Sequence, residues 1–295
     1  MQTYTIRGGG GVALHVEEIG PRDATPILFI HGFSQCGLAW RKQTRSDLAR
    51  EFRLITLDLR GHGASTRPRD GYDDPGLWAE DLNAVMDTLH LNAPVLVGWS
   101  YAGVIISDYL RVYGEDRVAG VQLVGAVSRL GEPLVSGGFL GSDFLAVVPA
   151  LFSNDATESV AAMTRFLRLC MCAEPSTEDL YSFLGWNALV PPYVRQGLLA
   201  RTVDNDHVFA GSRKPVSLVY GEADQIVSPR MCTHLERLVR HSEVSTYANV
   251  GHMPFWEDPE RFNRELRRFT MRCHGIGELG NLVIGKLGVS QFPNY

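Results

Sequence analysis

Leu96-Val97-Gly98-Trp99-Ser100-Tyr101-Ala102-Gly103 sets a serine between a short apolar run and a long helical pattern. Val95–Val97 reads as a buried strand, and Tyr101–Tyr113 continues with apolar residues at helical spacing. A serine pinched between strand and helix, with glycine at 98 and 103, implies a turn too sharp for ordinary side chains. Gly98 lets the helix approach the strand, and Gly103 keeps the first helical turn free of bulk. The serine oxygen is then held up and exposed on a strained backbone. Alanine occupies position 102, where the tightest turns of this kind have glycine, and one extra methyl predicts a slightly relaxed turn. Taken alone, the pattern fits equally well a serine that caps a helix after a strand.

Around this segment the chain alternates. Eight strand-like runs are legible at Thr3–Arg7, Val12–Ile19, Pro26–Ile30, Arg53–Leu57, Val95–Val97, Val118–Val124, Val216–Tyr220 and Glu243–Tyr247. The first two form a hairpin around Gly8–Gly11, and helical patterns such as Trp78–Leu89 and Pro229–Val239 lie between the others. Asp258-Pro259 starts a last helix with a cap and a first-turn proline. Alternation of this kind predicts an α/β fold: a mostly parallel eight-stranded sheet with helices on both faces.

The interval 128–206 breaks the alternation and is rich in Phe, Leu, Met and small residues, with helical stretches at Ser159–Cys170 and Thr177–Leu189. It is expected to be a helical cap over the active-site edge of a core formed by residues 1–127 and 207–272. Residues 273–295 form a glycine-rich tail that could pack on the body, swap into a partner or stay disordered.

A nucleophilic serine needs a base, and the base needs a third group to hold its tautomer. Asp224 follows the apolar run Val216–Tyr220, and His252, in Gly251-His252-Met253-Pro254, follows Glu243–Tyr247. Loops at the same end of parallel strands open on one edge, so Ser100, Asp224 and His252 are expected to converge. Glu222 is the rival acid. Asp224 could instead cap a helix and His252 could be a loop histidine, although Ser228-Pro229 is the better helix start. Phe29-Ile30-His31-Gly32-Phe33 ends another strand, and its glycine lets the loop turn back over the serine. The N–H groups of Phe33 and Tyr101 are expected to face a developing oxyanion, with His31 ordering their loop. His62 is placed in a tight turn, and Asp58 and Arg60 read as a structural pair supporting it.

In joint order, Phe29–Phe33, Asp58-Leu59-Arg60-Gly61-His62-Gly63-Ala64-Ser65, Gly98–Gly103, Gly221–Val227 and Gly251–Pro259 resemble the alpha/beta-hydrolase superfamily over residues 1 to 272. Within it, the short spacing and single insertion are similar to the serine-dependent esterase, lactonase and cofactor-free haloperoxidase group. The resemblance implies Ser100, Asp224 and His252 as a catalytic triad and an acyl-enzyme route for esters or lactones. It leaves open perhydrolysis, carbon–carbon bond hydrolysis and, outside enzymes, a ligand receptor on a hydrolase scaffold. A carboxylate nucleophile, as in haloalkane dehalogenases and epoxide hydrolases, is excluded by the serine at 100. Ser34, Trp99, Phe139, Phe144 and Trp186 are expected around the substrate, with Phe166, Phe183 and Tyr193 as further cap aromatics, although any of these is more often core.

Composition narrows the classes. Among 295 residues, 45% are hydrophobic and 21% charged, as in ordinary soluble globules. A net charge of −5, with no basic cluster interleaved with aromatics, gives no electrostatic reason to bind nucleic acid or an anionic membrane. No apolar signal-like segment opens the chain, so the expected location is cytoplasmic. The five cysteines are scattered, and Cys170-Met171-Cys172 has the wrong spacing for a zinc site. No metal or cofactor is expected. Cys36 reads as a small buried hydrophobe, and the only partner expected is a small ester or lactone, bound by a monomer or homodimer.

Overall fold

The computed structural model describes residues 1–276. Its strands are β1 (Gln2–Arg7), β2 (Ala13–Ile19), β3 (Pro26–Ile30), β4 (Arg53–Leu57), β5 (Val95–Trp99), β6 (Gly120–Val124), β7 (Arg129–Leu130), β8 (Val203–Asp204), β9 (Val216–Gly221) and β10 (Glu243–Tyr247). Eight of them form one sheet in the order β1-β2-β4-β3-β5-β6-β9-β10. The β1/β2 and β2/β4 ladders are antiparallel and the five others parallel.

Burial follows position in this order. β2 alternates between half-buried and buried residues, the period of a strand with one covered face. β3, β4, β5, β6 and β9 are buried at every residue, which requires helices on both faces. Helices Pro75–Thr88 and Ala102–Tyr113 pack against each other. Pro75 opens the first of these, and the Asp74 carboxylate accepts from Gly76 N–H at 2.7 Å. That helix therefore starts earlier than the expected Trp78. β6 begins only at Gly120, two residues later than expected; a Cβ there would sit 2.5 Å from Cys273 Sγ on the last helix.

Between β6 and β9 the chain leaves the sheet for a mainly helical interval that includes Ala156–Leu169, Thr177–Ala188 and Pro192–Leu199. The ends of this interval are fastened together. β7 pairs with β8, and Asp206 accepts from Ser128 Oγ at 2.5 Å and Arg129 Nε at 2.9 Å. Arg201, buried, bridges to Asp108 of the helix Ala102–Tyr113 at 2.7 Å. The architecture is an α/β sheet with an inserted helical cap.

One expected contact is corrected. Asp58 and Arg60 do not pair with each other. Asp58 accepts from the N–H of Gly37 at 2.7 Å and of Ala64 at 2.8 Å, pinning two loops. Arg60 instead forks onto Asp81 at 2.7 and 2.8 Å, across to the helix Pro75–Thr88. Of the tail, Cys273 ends the last helix, and the expectation for residues 277–295 lies outside the described residues.

Candidate active site

β5 runs up to Trp99, and Ser100 follows with φ +57°. A side chain in this left-handed region costs about 1–2 kcal/mol. The backbone at Ser100 is strained, as the sequence pattern predicts. It is held from several directions: Ser100 N–H donates to Val124 O on β6 at 2.9 Å, and Ser100 O accepts from the N–H of Gly103 at 3.1 Å and of Val127 at 3.2 Å. Space around it is tight at both flanking glycines and closed by backbone at Gly103. A Cβ at Gly98 would approach Ile106 Cδ1 to 2.5 Å, and one at Gly103 would approach Val127 O to 2.4 Å.

Asp224, after β9, and His252, after β10, meet at 2.7 Å between Oδ2 and Nδ1. The other carboxylate oxygen of Asp224 accepts from the N–H of Ile226 at 2.8 Å and of Val227 at 2.9 Å. An acceptor-only carboxylate facing Nδ1 assigns the proton to that nitrogen and leaves Nε2 as the free base. The rival, Glu222, is exposed. The histidine loop is fixed at its backbone: His252 N–H donates to Cys170 O and Trp99 Nε1 donates to His252 O, both at 2.9 Å. No hydrogen bond links Ser100 Oγ to the imidazole, although both side chains open on one cavity. Such contacts commonly tighten only when substrate binds.

Gly125, at φ +50°, packs under the Asp224–His252 contact, and a Cβ there would lie 2.9 Å from His252 Nδ1. Gly125→Ala is expected to shift the imidazole and to lower kcat by roughly a hundredfold. Steady-state kinetics of the purified variant would check this, and an unchanged kcat would mean that the imidazole tolerates the displacement.

The Phe33 and Tyr101 N–H groups donate to no other group among the described residues, and both residues border the same cavity as Ser100. Two free backbone donors beside a serine make a geometry able to receive an oxyanion. Their approach to Ser100 depends on Gly32, whose Cβ, if present, would stand 3.0 Å from Ser100 Cβ. His31 orders this loop: Nδ1–H donates to Gly32 O at 2.8 Å, and Nε2 accepts from Leu59 N–H at 3.0 Å.

The cavity measures about 170 Å³ and is walled by apolar side chains, among them Leu130, Leu134, Phe144, Phe166, Ile226 and Val227. No Asp, Glu, Lys or Arg lines it.

The alpha/beta hydrolase fold model matches residues 25–259. The chain belongs to this family. Among its relatives, the AB hydrolase superfamily protein YisY of Bacillus subtilis is 29% identical over 265 residues, covering 88% of this chain and 96% of the other. The crystal structure of the esterase RhEst1 from a Rhodococcus species superposes with a TM-score of 0.87 at 34% identity, covering 92% of this chain and 98% of that one. The bifunctional esterase/perhydrolase DCH of Acinetobacter calcoaceticus is 38% identical, but over only 120 residues, 41% of this chain and 43% of its own length.

In this alpha/beta hydrolase, Trp99 and Phe144 line the cavity, whereas Ser34, Phe139 and Trp186 do not. Ser34 is turned towards the cap, where its Oγ accepts from Arg195 Nε at 2.9 Å. Phe139 packs beside the His234 ring at 5.1 Å, and Trp186 Nε1 donates to Gln35 Oε1 at 2.7 Å. Phe166 reaches the wall, but Phe183 and Tyr193 do not. Ile226 and Val227, which sequence reading missed, reach it because their amides bind Asp224; adjacency to the acid was the available signal. Cys36 is buried away from Ser100, and burial pushes its thiol up to about 12. Among the described residues no His, Cys, Asp or Glu cluster fits a metal ion, and no helix is long and apolar enough to cross a membrane.

Burial also holds His31 down to about 4 and His62 down to about 3, so both imidazoles are neutral in the folded chain. In the unfolded chain each titrates at about 6.5. As pH falls through that value the unfolded state takes up protons first, so stability is complete above it and declines towards pH 4. Between pH 7 and 5 the two together should remove roughly 2–4 kcal/mol. Denaturant midpoints at both pH values would show it, and equal midpoints would contradict the buried neutral pair.

Proposed function

We propose that this alpha/beta hydrolase cleaves carboxylic esters and lactones of small, uncharged, hydrophobic substrates through an acyl-enzyme on Ser100. The observation that carries the reading is that His252, held by Asp224 at Nδ1, lines one apolar cavity together with Ser100. His252 Nε2 takes the hydroxyl proton as Ser100 Oγ attacks the carbonyl carbon. Asp224 keeps the Nδ1–H in place and stabilises the imidazolium. The tetrahedral oxyanion accepts from the Phe33 and Tyr101 N–H groups, each donor being worth about 3 kcal/mol in the transition state. His252 then gives its proton to the leaving alcohol, and a water deprotonated by the same imidazole releases the acid.

Substrate class follows from the wall. A charged acyl group would lose its hydration without finding a counter-charge, so neutral acyl and aryl parts are favoured. A pocket of about 170 Å³ resembles in size the engineered 150 Å³ cavities that bind benzene, which points to acyl chains of roughly four to six carbons. Similarity to RhEst1 over 92% of the chain supports the esterase reading. Perhydrolysis, with peroxide replacing water on the same acyl-enzyme, is a second reading favoured by the partial match to the Acinetobacter esterase/perhydrolase.

A fluorophosphonate probe should label Ser100 alone, as read by peptide mass spectrometry. A panel of nitrophenyl esters and lactones should turn over in the ordinary enzyme range, above about 1 per second for the best substrate. Labelling elsewhere would place the nucleophile at another residue, and turnover far below that rate on every member would favour a binding protein on the same scaffold.

A further inference from the structure

Arg195 lies on the helix Pro192–Leu199 and is only 1% exposed. The other deeply buried arginines have acids: Arg53 meets Glu18, Arg60 meets Asp81 and Arg201 meets Asp108. Arg195 forms no ion pair among the described residues. Its guanidinium is spread over neutral acceptors instead. Nε donates to Ser34 Oγ at 2.9 Å, Nη1 to Leu151 O at 3.1 Å, and Nη2 to Asn187 O at 2.6 Å and Met163 Sδ at 2.9 Å. Three of these partners belong to the cap, and the fourth is the residue after Phe33. Burial draws the guanidinium down only to about 10, so it remains a cation at neutral pH. A charge sequestered without a counter-ion is unfavourable for stability, and its retention calls for another reason.

The loop it touches is strained. Ser34 is fully buried with φ +61°, in the turn closed by Gln35 N–H donating to Gly32 O at 3.3 Å. The cap grips this turn at further points. Trp186 Nε1 holds Gln35 Oε1 at 2.7 Å, and the Phe166 ring meets Phe33 edge-on at 6.1 Å between centroids. Phe33 N–H is therefore aimed by a turn whose conformation depends on contacts from the cap. We propose that Arg195 is a positioning residue that, through Ser34, fixes the direction of the Phe33 N–H and so makes the cap part of the oxyanion site. Only a planar fork can reach Ser34 and three separate cap segments at once, and a lysine ammonium cannot. This inference rests on the hydrolytic reading given above.

The test uses Arg195→Met, Arg195→Lys, Ser34→Ala and the double variant Arg195→Met/Ser34→Ala in the full chain. An arylboronic acid serves as the probe. Its boron takes the Ser100 Oγ electron pair, the hydroxyl proton passes to His252, and a boron-bound oxygen occupies the oxyanion position. Each single variant is expected to lower kcat about tenfold, a fraction of the loss typical when a donor is deleted. KM should stay within about threefold, and boronic acid affinity should fall by the same factor as kcat. The double variant should lose no more than the worse single one, and Arg195→Lys should not rescue. Unchanged kcat, or a fall in kcat with boronic acid affinity intact, would overturn the proposal. If Arg195→Met does not fold, Ser34→Ala decides by the same two readouts. Ser100→Ala, measured alongside, separates the failures: substantial turnover there removes the hydrolytic reading and this inference with it. Turnover lost there but full in the positioning variants removes this inference alone.

Discussion

Ser100→Ala is expected to lower kcat for a chromogenic ester by about five orders of magnitude while the fold persists. The hydroxyl oxygen is the only non-hydrogen atom removed, and the turn that holds it is built from backbone contacts to Val124, Gly103 and Val127 that alanine keeps. Residual turnover, roughly a thousandfold above water, would come from the free Phe33 and Tyr101 amides acting on a water-attacked ester. A companion substitution reads the strain separately. At φ +57° a Cβ is unfavourable, so Ser100→Gly should be equally inactive yet at least as stable as Ser100→Ala, by up to about 1 kcal/mol. Denaturation midpoints of the two variants check the second part. An alanine variant that retained most of its activity would place the nucleophile elsewhere.

Asp224→Asn is expected to reduce kcat about ten-thousandfold with little change in KM. The carboxylate receives three N–H donors: Ile226 and Val227 on Oδ1 and the imidazole on Oδ2. An amide offers one oxygen. Two fixed backbone donors claim it, so the NH₂ group must face Nδ1 and the ring proton must move to Nε2. The imidazole would then have no lone pair towards Ser100. Near-normal crystallographic geometry with lost turnover would fit this tautomer argument, whereas a loss below tenfold would show that Asp224 is not what orients the base. Asp224→Glu should also lose activity, because the extra methylene moves the carboxylate relative to the two amides and the ring that it joins.

Much of the frame is legible because it rests on local rules. Apolar runs mark the central strands, and Asp258-Pro259 marks the start of the last helix; Asp74-Pro75 carries the same signal and would have placed the Pro75–Thr88 helix correctly. The loops after β5, β9 and β10 could be matched to Ser100, Asp224 and His252 because parallel strands send successive loops to one edge. The cap resists such reading. Trp186 lies on a helix and Phe139 in the irregular stretch between two short helices, and which way each points depends on how the cap segments cross, not on spacing. Arg195 could not be found either, since an arginine in an amphipathic stretch reads as surface. Asp58 and Arg60 show the same limit in small: neighbours of opposite charge invite pairing, but each is claimed by a distant partner.

The tie between Cys170 O and His252 N–H reaches beyond geometry, and a Cβ on Gly251 would come within 2.8 Å of Cys172 N. A segment of the inserted interval thus also braces the backbone of the residue proposed as the general base. Grafting a foreign cap onto this core would unseat the imidazole unless the new backbone kept a carbonyl and an amide where Cys170 and Cys172 place them. New substrate preferences should therefore be sought first by single replacements along the apolar wall, and an exchanged cap should give an active chimaera only where it keeps this backbone contact.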